Sequence, residues 1–434
     1  MAAACPQSPF VPTMLLPQDR ASLTPSVAAC ARVAAGLAAA LLLSACAPRY
    51  QPMGEARQPP QLADAALIAA DGYRLTLRAW LPARPGDIDA VVVALHGLND
   101  HSLAWDRPAR HWAERGVATY AYDQRGFGAN AEPGIWPGAE TLMADLDGAV
   151  DAVAERHPGK PILLVGESMG GAVVLAALAR PASANGGPAL AGKIRGAVLS
   201  APALWGADSM NLVYRATLWV SSRVAPGMRV QPPANLRITA SDNLAMLRSL
   251  GSDPRVLKRT RMDTLAGMVS LMSLAEARMD QLPATLPLLV LYGQNEEVLP
   301  RPSVTQVLER WDGVMPGRAI QLAIYEQGYH MLMRDICAPA VWHDVGQWLR
   351  QPGAAPDYGL GRSAWLADKP RSPGPVAQVE RVDCPVGIAP LQWGDVPLRA
   401  QQQEANGAQV QHDLPAQRDT DAQRGAPTQA ARAR

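Results

Sequence analysis

Gly166-Glu167-Ser168-Met169-Gly170 sets one serine between two glycines, after the apolar run Ile162–Val165 and before the Ala/Leu-rich stretch Ala172–Arg180. The run has the length and composition of a buried parallel strand, and the stretch reads as helix. A G-x-S-x-G motif carries chemistry in that setting of strand, sharp turn and helix. The turn lifts the serine hydroxyl above the sheet edge, and the glycines leave it room. The helix N-terminus behind it adds positive potential where a nucleophile's negative charge develops. The chemistry this allows is acyl transfer. Ser168 attacks a carbonyl, a base takes its proton, and a carboxylate orients that base.

Such a triad runs along the chain in the order serine, acid, histidine. Two histidines follow Ser168 before the C-terminal tail, His330 and His343. His330 sits in the Gly-containing loop Tyr325-Glu326-Gln327-Gly328-Tyr329-His330, just after an expected strand, and is the expected base. His343 falls within an expected helix, where a surface or packing role is ordinary. For the acid, Gly293-Gln294-Asn295-Glu296-Glu297-Val298-Leu299-Pro300 resembles a strand-end loop, G-x-x-D-x-V-x-P, whose Asp orients the histidine. Glu296 stands at the Asp position, one methylene longer. Glu297 is the alternative, either as a solvated neighbour or as the acid of a shifted loop. The tetrahedral oxyanion needs fixed donors, each worth about 100–1000-fold in rate. The backbone N–H of Met169 supplies one, and that of Leu98, in the loop after Ala90–Leu95, the other. His96 and Gly97 are expected to shape that loop rather than react.

The elements that must hold these residues alternate. Ala65–Ala70 and Tyr73–Leu81 flank the turn signal Asp71-Gly72 and read as a hairpin. Ala90–Leu95, Ala118–Tyr122, Ile162–Val165, Ile194–Leu199, Leu286–Tyr292 and Ala319–Tyr325 read as strands. Between and after them, His111–Glu114, Glu140–Arg156 and Val341–Leu349 read as helix. Strands alternating with helices predict an α/β fold: a mostly parallel sheet with helices on both faces and ligands at the carboxyl ends of the strands. The polar clusters after Leu95, Tyr122 and Val165 all fall at such ends. Asn211–Leu282 breaks the rhythm with helical pattern only, and reads as an inserted cap over about 207–285. Its apolar repeat Met262, Leu265, Met268, Val269 and Met272 is either the face that packs on the core or part of an acyl-binding groove.

The ends differ in character. Arg32 precedes the apolar run Val33–Leu43, which has signal-peptide length and falls short of the ~20 residues of a membrane span. Leu43-Ser44-Ala45-Cys46 follows and resembles a bacterial lipobox, cut before a cysteine that is then acylated. Residues 1–45 are therefore expected as a lipoprotein signal peptide, Cys46 as the lipidation site, and 46–62 as a Pro/Gln-rich linker. This places the domain, 63–350, outside the cytoplasm, tethered to the membrane on the periplasmic side of the cell envelope. Two alternatives stand beside it: ordinary secretion, since Ala45-Cys46-Ala47 is also an A-x-A-like site, and a run left uncleaved as an anchor. The tail, 351–434, is rich in Pro, Gly, Gln, Ala and Arg, too poor in periodic apolar residues to offset its ordering entropy, and is expected to be mostly disordered. Trp365, Val386–Ile388 and Leu391–Trp393 are the places where it would dock. Of the five cysteines, Cys337 and Cys384 remain beyond Cys46, either as a pair or as two unlinked thiols. A net charge of +1 gives no basic footprint for nucleic acid. No C-x-x-C or His-rich cluster suggests a metal, and no cofactor is expected.

His96-Gly97 with His101-Ser102, Asp123-Gln124-Arg125-Gly126, Gly166-Glu167-Ser168-Met169-Gly170 and His330 together resemble the monoacylglycerol lipase/lysophospholipase branch of the α/β-hydrolases, often catalogued with serine aminopeptidase S33-type domains. The resemblance spans roughly Ala65–Leu349. It implies an α/β-hydrolase fold with a cap that selects a lipid-like ester. The expected activity is hydrolysis of a carboxylic ester, a monoacylglycerol or a lysophospholipid, through an acyl-enzyme on Ser168. Two other classes stand beside it. An aminopeptidase of the same fold would need a cap carboxylate for the substrate amine, with Asp242, Asp253 and Asp263 available. A non-catalytic envelope lipoprotein would have no use for four intact components.

Overall fold

Strands that are apolar on both faces must bury both, and that requires helices above and below the sheet. The computed structural model describes residues 47–181, 190–231, 238–314, 317, 319–361, 364, 365 and 384–391. The expected signal peptide, Cys46 and the tail at 366–383 and 392–434 lie outside these residues. Strands β1 (Gln61–Ala63), β2 (Ala66–Ile68), β3 (Arg74–Trp80), β4 (Ala90–Leu95), β5 (Val117–Tyr122), β6 (Ile162–Glu167) and β7 (Gly196–Ser200) precede the cap. The short pair β8 (Arg229–Val230) and β9 (Thr260–Arg261) belongs to the cap, and β10 (Leu288–Gly293) and β11 (Ile320–Tyr325) follow it. Nine strands form one sheet in the order β1-β2-β3-β5-β4-β6-β7-β10-β11. From β5 to β11 every neighbour pair is parallel. The antiparallel edge is the expected hairpin, β2 with β3, plus β1. Its turn needs φ > 0, which Gly72 supplies at +83°.

The described helices are α1 (Asp106–Ala113), α2 (Ala139–Arg156), α3 (Met169–Leu178), α4 (Leu212–Val224), α5 (Leu244–Ser252), α6 (Met262–Arg278), α7 (Arg301–Val314) and α8 (Ala338–Arg350). Side chains alternate across each strand, so β4 sends Val91, Val93 and Leu95 to one layer and Ala90, Val92 and Ala94 to the other. The first layer is closed by α2 and α3, the second by α1 and α8. The apolar strand runs are thus explained by burial on both faces, and the architecture is the mostly parallel α/β sheet that the pattern predicts.

Between β7 and β10 the chain builds the cap from α4, α5, α6 and the β8–β9 pair. Met268, Leu271, Met272 and Ala275 of α6 are buried in the larger core layer, so most of the Met-rich stripe is a packing face. Gly267 allows this approach: a Cβ there would lie 2.3 Å from Trp136 Nε1.

Two end segments behave differently from their composition. The expected linker lies against the domain instead of leaving it. Gln51 N–H donates to the Trp136 carbonyl at 3.0 Å, Met53 N–H to Thr141 Oγ1 at 3.0 Å, and Arg49 N–H to Asp263 Oδ2 at 3.2 Å. The tail docks at two of the places expected, Trp365 and Leu391, whereas Val386, expected to dock as well, is 96% exposed. Leu360 bridges to Ile324, and Trp365 is 1% exposed, its ring 5.8 Å from that of Tyr292 and under the Arg301 guanidinium at 4.0 Å. Cys337 and Cys384 form a disulfide, with Cα atoms 5.3 Å apart, and Leu391 N–H donates to the Ile336 carbonyl at 2.7 Å. Composition measures whether a segment can build its own core. It does not register a few side chains docking on a core already made.

Candidate active site

Ser168 sits between β6 and α3 with φ +52° and ψ −113°, a region non-glycine residues rarely occupy. The surroundings hold it there. Its N–H donates to the Ser200 carbonyl at 2.9 Å, and its own carbonyl accepts from Ala172 and Ala203. The flanking glycines have no space for a side chain, since a Cβ on Gly166 would meet the Gly170 backbone at 2.6 Å and one on Gly170 the Leu95 carbonyl oxygen at 2.4 Å. The motif is therefore set by close backbone approach, and Ser168 stays half-buried rather than enclosed.

The expected acid and base meet. His330 Nδ1 lies 2.7 Å from Glu296 Oε2, and both residues are buried. The other oxygen of Glu296 accepts from the N–H groups of Val298 at 2.8 Å and Leu299 at 2.9 Å, which fixes the carboxylate's rotation. With Nδ1–H donating to Glu296, Nε2 is left as the basic nitrogen. Burial works against a charged His330, but the charge of Glu296, its hydrogen bond and the charge of Glu167 outweigh burial and the nearby Arg334. Proton affinity therefore lies above the ordinary histidine value. Among the described residues no hydrogen bond joins Ser168 Oγ to His330, a link that commonly tightens only with substrate bound. Glu297 does different work: its Oε2 accepts from Thr239 N–H of the cap at 2.7 Å. His343 pairs with Asp357 on the surface at 3.0 Å.

Met169 N–H opens α3, where no intrahelical partner exists, and Leu98 lies in the turn after β4. Neither N–H has an acceptor among the described residues, so both remain open to an oxyanion. His96 shapes this loop, as expected. Gln124 N–H donates to His96 Nε2 at 2.9 Å, which makes Nε2 an acceptor and places the ring proton on Nδ1, 2.8 Å from the Gly97 carbonyl. Burial keeps this imidazole neutral, with a pKa below the usual value. The cap reaches the same loop: Asn99, at φ +65°, gives Nδ2–H to Thr260 Oγ1 at 2.6 Å, and its carbonyl accepts from Leu257 N–H at 2.9 Å.

The Asp123–Gly128 motif is scaffold. Asp123 Oδ1 accepts from Ser102 N–H at 2.8 Å and Ser102 Oγ at 2.5 Å, and Oδ2 from Ala129 N–H at 2.8 Å. Arg125 bridges Asp71 and Asp145, joining the hairpin turn to α2. Three contributors had no sequence signal of their own. Arg334 bridges Asp100 and Glu167 beside the site. Arg301 holds the acid loop through the Gln294 carbonyl at 3.0 Å and the tail through the Trp365 carbonyl at 2.6 Å. Gln294 Nε2–H reaches the Ala364 carbonyl at 3.1 Å, closing that bracket two residues before Glu296. Each is an ordinary residue in the sequence. Only the pairing across distant segments gives it meaning.

A strained serine at a strand–helix turn, a carboxylate-held histidine and two open N–H groups on a mostly parallel sheet define an α/β-hydrolase of the serine type, an enzyme. Residues 86–336 match the family model described as serine aminopeptidase, S33, and the chain belongs to that family. It is similar to a monoacylglycerol lipase of Mycolicibacterium smegmatis, 26% identical over 288 residues that cover 64% of this chain and 93% of the relative. It is similar to the human monoglyceride lipase, 26% identical over 290 residues covering 66% and 89%. The crystal structure of Paleococcus ferrophilus monoacylglycerol lipase shares the fold, with a TM-score of 0.51 and 22% identity over 64% of this chain and 98% of that one.

Proposed function

We propose that this protein hydrolyses a lipid-like carboxylic ester, a monoacylglycerol or a lysophospholipid, through an acyl-enzyme on Ser168. The observation that carries the reading is the Glu296–His330 pair, with both carboxylate oxygens engaged and His330 Nε2 left as the base. Ser168 Oγ attacks the ester carbonyl as its proton passes to His330 Nε2. The oxyanion settles on the N–H groups of Met169 and Leu98. Collapse expels the alcohol, protonated by His330, and leaves the acyl-serine. Water, deprotonated by the same nitrogen, then releases the fatty acid and restores Ser168. No cofactor enters this sequence.

The lipid character of the substrate is supported by the names of the two relatives and by the cap. Leu212, Val213, Tyr214, Trp219, Val220 and Val224 leave α4 with an exposed apolar face, Leu212 at 78% and Trp219 at 59% exposure. A face of that kind is suited to a lipid–water interface. Export with acylation at Cys46 is part of the same proposal, with attachment on the periplasmic side of the envelope. The Cys337–Cys384 disulfide supports an oxidising compartment. Against the aminopeptidase alternative, two of its three candidate carboxylates already have charged partners. Asp242 accepts from Ile336 N–H, Asp253 is paired with His101 and Arg255, and Asp263 with Arg261.

The test is a panel of monoacylglycerols, lysophospholipids, p-nitrophenyl esters of rising chain length and aminoacyl-nitroanilides, with Ser168→Ala beside wild type. Turnover of the lipid esters by wild type alone is expected. Equal turnover by both proteins, or cleavage of nitroanilides only, would overturn the reading. Palmitate labelling lost in Cys46→Ser is the expected result for the anchor, and label that persists would refute it.

A further inference from the structure

Glu167, directly before the nucleophile, ends an otherwise apolar strand with a carboxylate that is almost fully buried. Its partner comes from far along the chain. Arg334 Nη2 donates to Glu167 Oε1 at 2.7 Å, and Nη1 donates to Asp100 Oδ2 at 2.7 Å. All three residues are buried. Each stands on a different loop of the site: Glu167 on the turn that holds Ser168, Asp100 two residues after Leu98, and Arg334 four residues after His330. Arg334 is itself fixed from behind, its N–H donating to the Met331 carbonyl at 2.8 Å and its carbonyl accepting from Asn243 Nδ2 of the cap at 2.9 Å.

Stability does not account for such a group. Burying ions carries a desolvation cost that their attraction often fails to recover, and apolar replacements of similar volume are frequently neutral or better. A planar guanidinium fork does supply fixed geometry, two near-parallel donors that set the separation of whatever accepts them. We propose that Arg334 is a positioning residue for hydrolysis, holding the nucleophile turn, the Leu98 oxyanion loop and the His330 loop in register through Glu167 and Asp100. The proposal rests on the Ser168–His330–Glu296 assignment and adds the element that keeps its three loops together.

The charged groups facing His330 are Glu296, Glu167 and Arg334. Changing either member of the Arg334–Glu167 pair therefore moves the pH at which His330 becomes an effective base, and the two changes move it in opposite directions. The experiment measures the rate of labelling by a fluorophosphonate probe against pH, which reads the activated serine without reference to the natural ester. Folding is checked by thermal unfolding. Arg334→Lys keeps the charge and loses the fork, and is expected to lower the rate at least tenfold with the acidic limb in place. Arg334→Met is expected to lose about 100-fold, the scale of a misplaced reacting pair, with the limb raised by about 1 pH unit. Glu167→Gln is expected to move the limb down. If Arg334→Met does not fold, the other two variants decide the matter. Wild-type rates in all of them, or losses with an unmoved limb in both Arg334→Met and Glu167→Gln, would overturn the proposal. A wild-type protein that the probe does not label would instead overturn the serine-hydrolase mechanism on which it rests.

Discussion

Replacing Glu296 by Gln tests the acid–base assignment through a tautomer. Glu296 Oε1 takes two N–H groups, from Val298 and Leu299, and Oε2 takes His330 Nδ1. An amide in the same place has one oxygen to accept and one NH₂ to donate. The two backbone donors claim the oxygen, since turning the amide over would set NH₂ against both. The NH₂ then points at His330 Nδ1 and donates to it, so the ring proton moves to Nε2. A protonated Nε2 on a neutral ring cannot accept from Ser168. In a serine protease triad the equivalent change costs about 10⁴-fold in kcat, and the same magnitude is expected here, about 5.5 kcal/mol of transition-state stabilisation. The pH dependence adds a sign. The Glu296 charge, its hydrogen bond and Glu167 raise the pKa of His330 against the effect of burial. Wild-type kcat/KM therefore rises with pH through a value above the ordinary histidine pKa of about 6.5. In Glu296→Gln the residual acidic limb moves to lower pH. The assay is kcat/KM for a short p-nitrophenyl ester from pH 5 to 9, with Glu297→Gln in parallel. Among the described residues Glu297 holds Thr239 N–H alone, which an amide oxygen also serves, so that variant is expected within about threefold of wild type. A Glu296→Gln enzyme within tenfold of wild type, or a larger loss in Glu297→Gln, would refute the reasoning.

Other changes test the frame. Trp365→Ala is expected to lower unfolding free energy by about 3 kcal/mol or more, measured by denaturant titration, because the buried ring packs on Tyr292 and gives Nε1–H to Thr305 Oγ1 at 3.0 Å. An unchanged midpoint would show that the tail does not dock. The disulfide closes a separation of 47 residues, for which chain entropy sets a stabilisation of up to about 4 kcal/mol. Cys337→Ser/Cys384→Ser is expected to melt lower than oxidised wild type and to be insensitive to dithiothreitol, whereas wild type falls to its level on reduction. Gly170→Ala drives a methyl toward the Leu95 carbonyl and is expected to cost about 1–3 kcal/mol and most of the probe labelling. Retention of both would mean that the turn has room it does not show.

The parts legible in the sequence are those with a local rule. β4 and β6 announce themselves as continuous apolar runs because both of their faces are covered. Ser168 stands out because its flanking glycines are required by backbone contacts within a few residues and with the neighbouring strand end. His330 and Glu296 follow from chain order and loop position once the serine is placed. Arg334, Asp100 and Arg301 obey no such rule. Each acts through a partner many residues away, Arg334 with Glu167 at a separation of 167 and Arg301 with Trp365 at 64. A single sequence carries no record of which distant segments will meet. The same limit hid the docking of the N-terminal segment on Trp136 and Thr141, where backbone donors of a Pro/Gln-rich stretch find acceptors on a finished domain.

Among the described residues the cap is tied to the catalytic loops at its base and not along its upper helix, and this division bears on how a substrate reaches Ser168. On one side Asn99 binds Thr260 and Leu257, and His101 Nε2 lies 3.2 Å from Asp253 Oδ2, which joins the cap to the oxyanion loop. On the other, Thr239 N–H binds Glu297, the Ala240 carbonyl accepts from Met331 N–H at 2.9 Å, Ser241 Oγ meets Asp335 Oδ1 at 2.6 Å and Asp242 accepts from Ile336 N–H at 2.8 Å. Five consecutive residues, Thr239 to Asn243, are thus stitched to the loops that carry the acid and the base. Lifting the whole cap as a rigid body would break both sets of bonds and release Leu98, Glu297 and the His330 loop together. Opening confined to α4 breaks none of them, because α4 rests on α6 and turns its apolar residues outward. The lower cap therefore belongs to the frame that holds the site loops, and the segment left to open without breaking these bonds is α4.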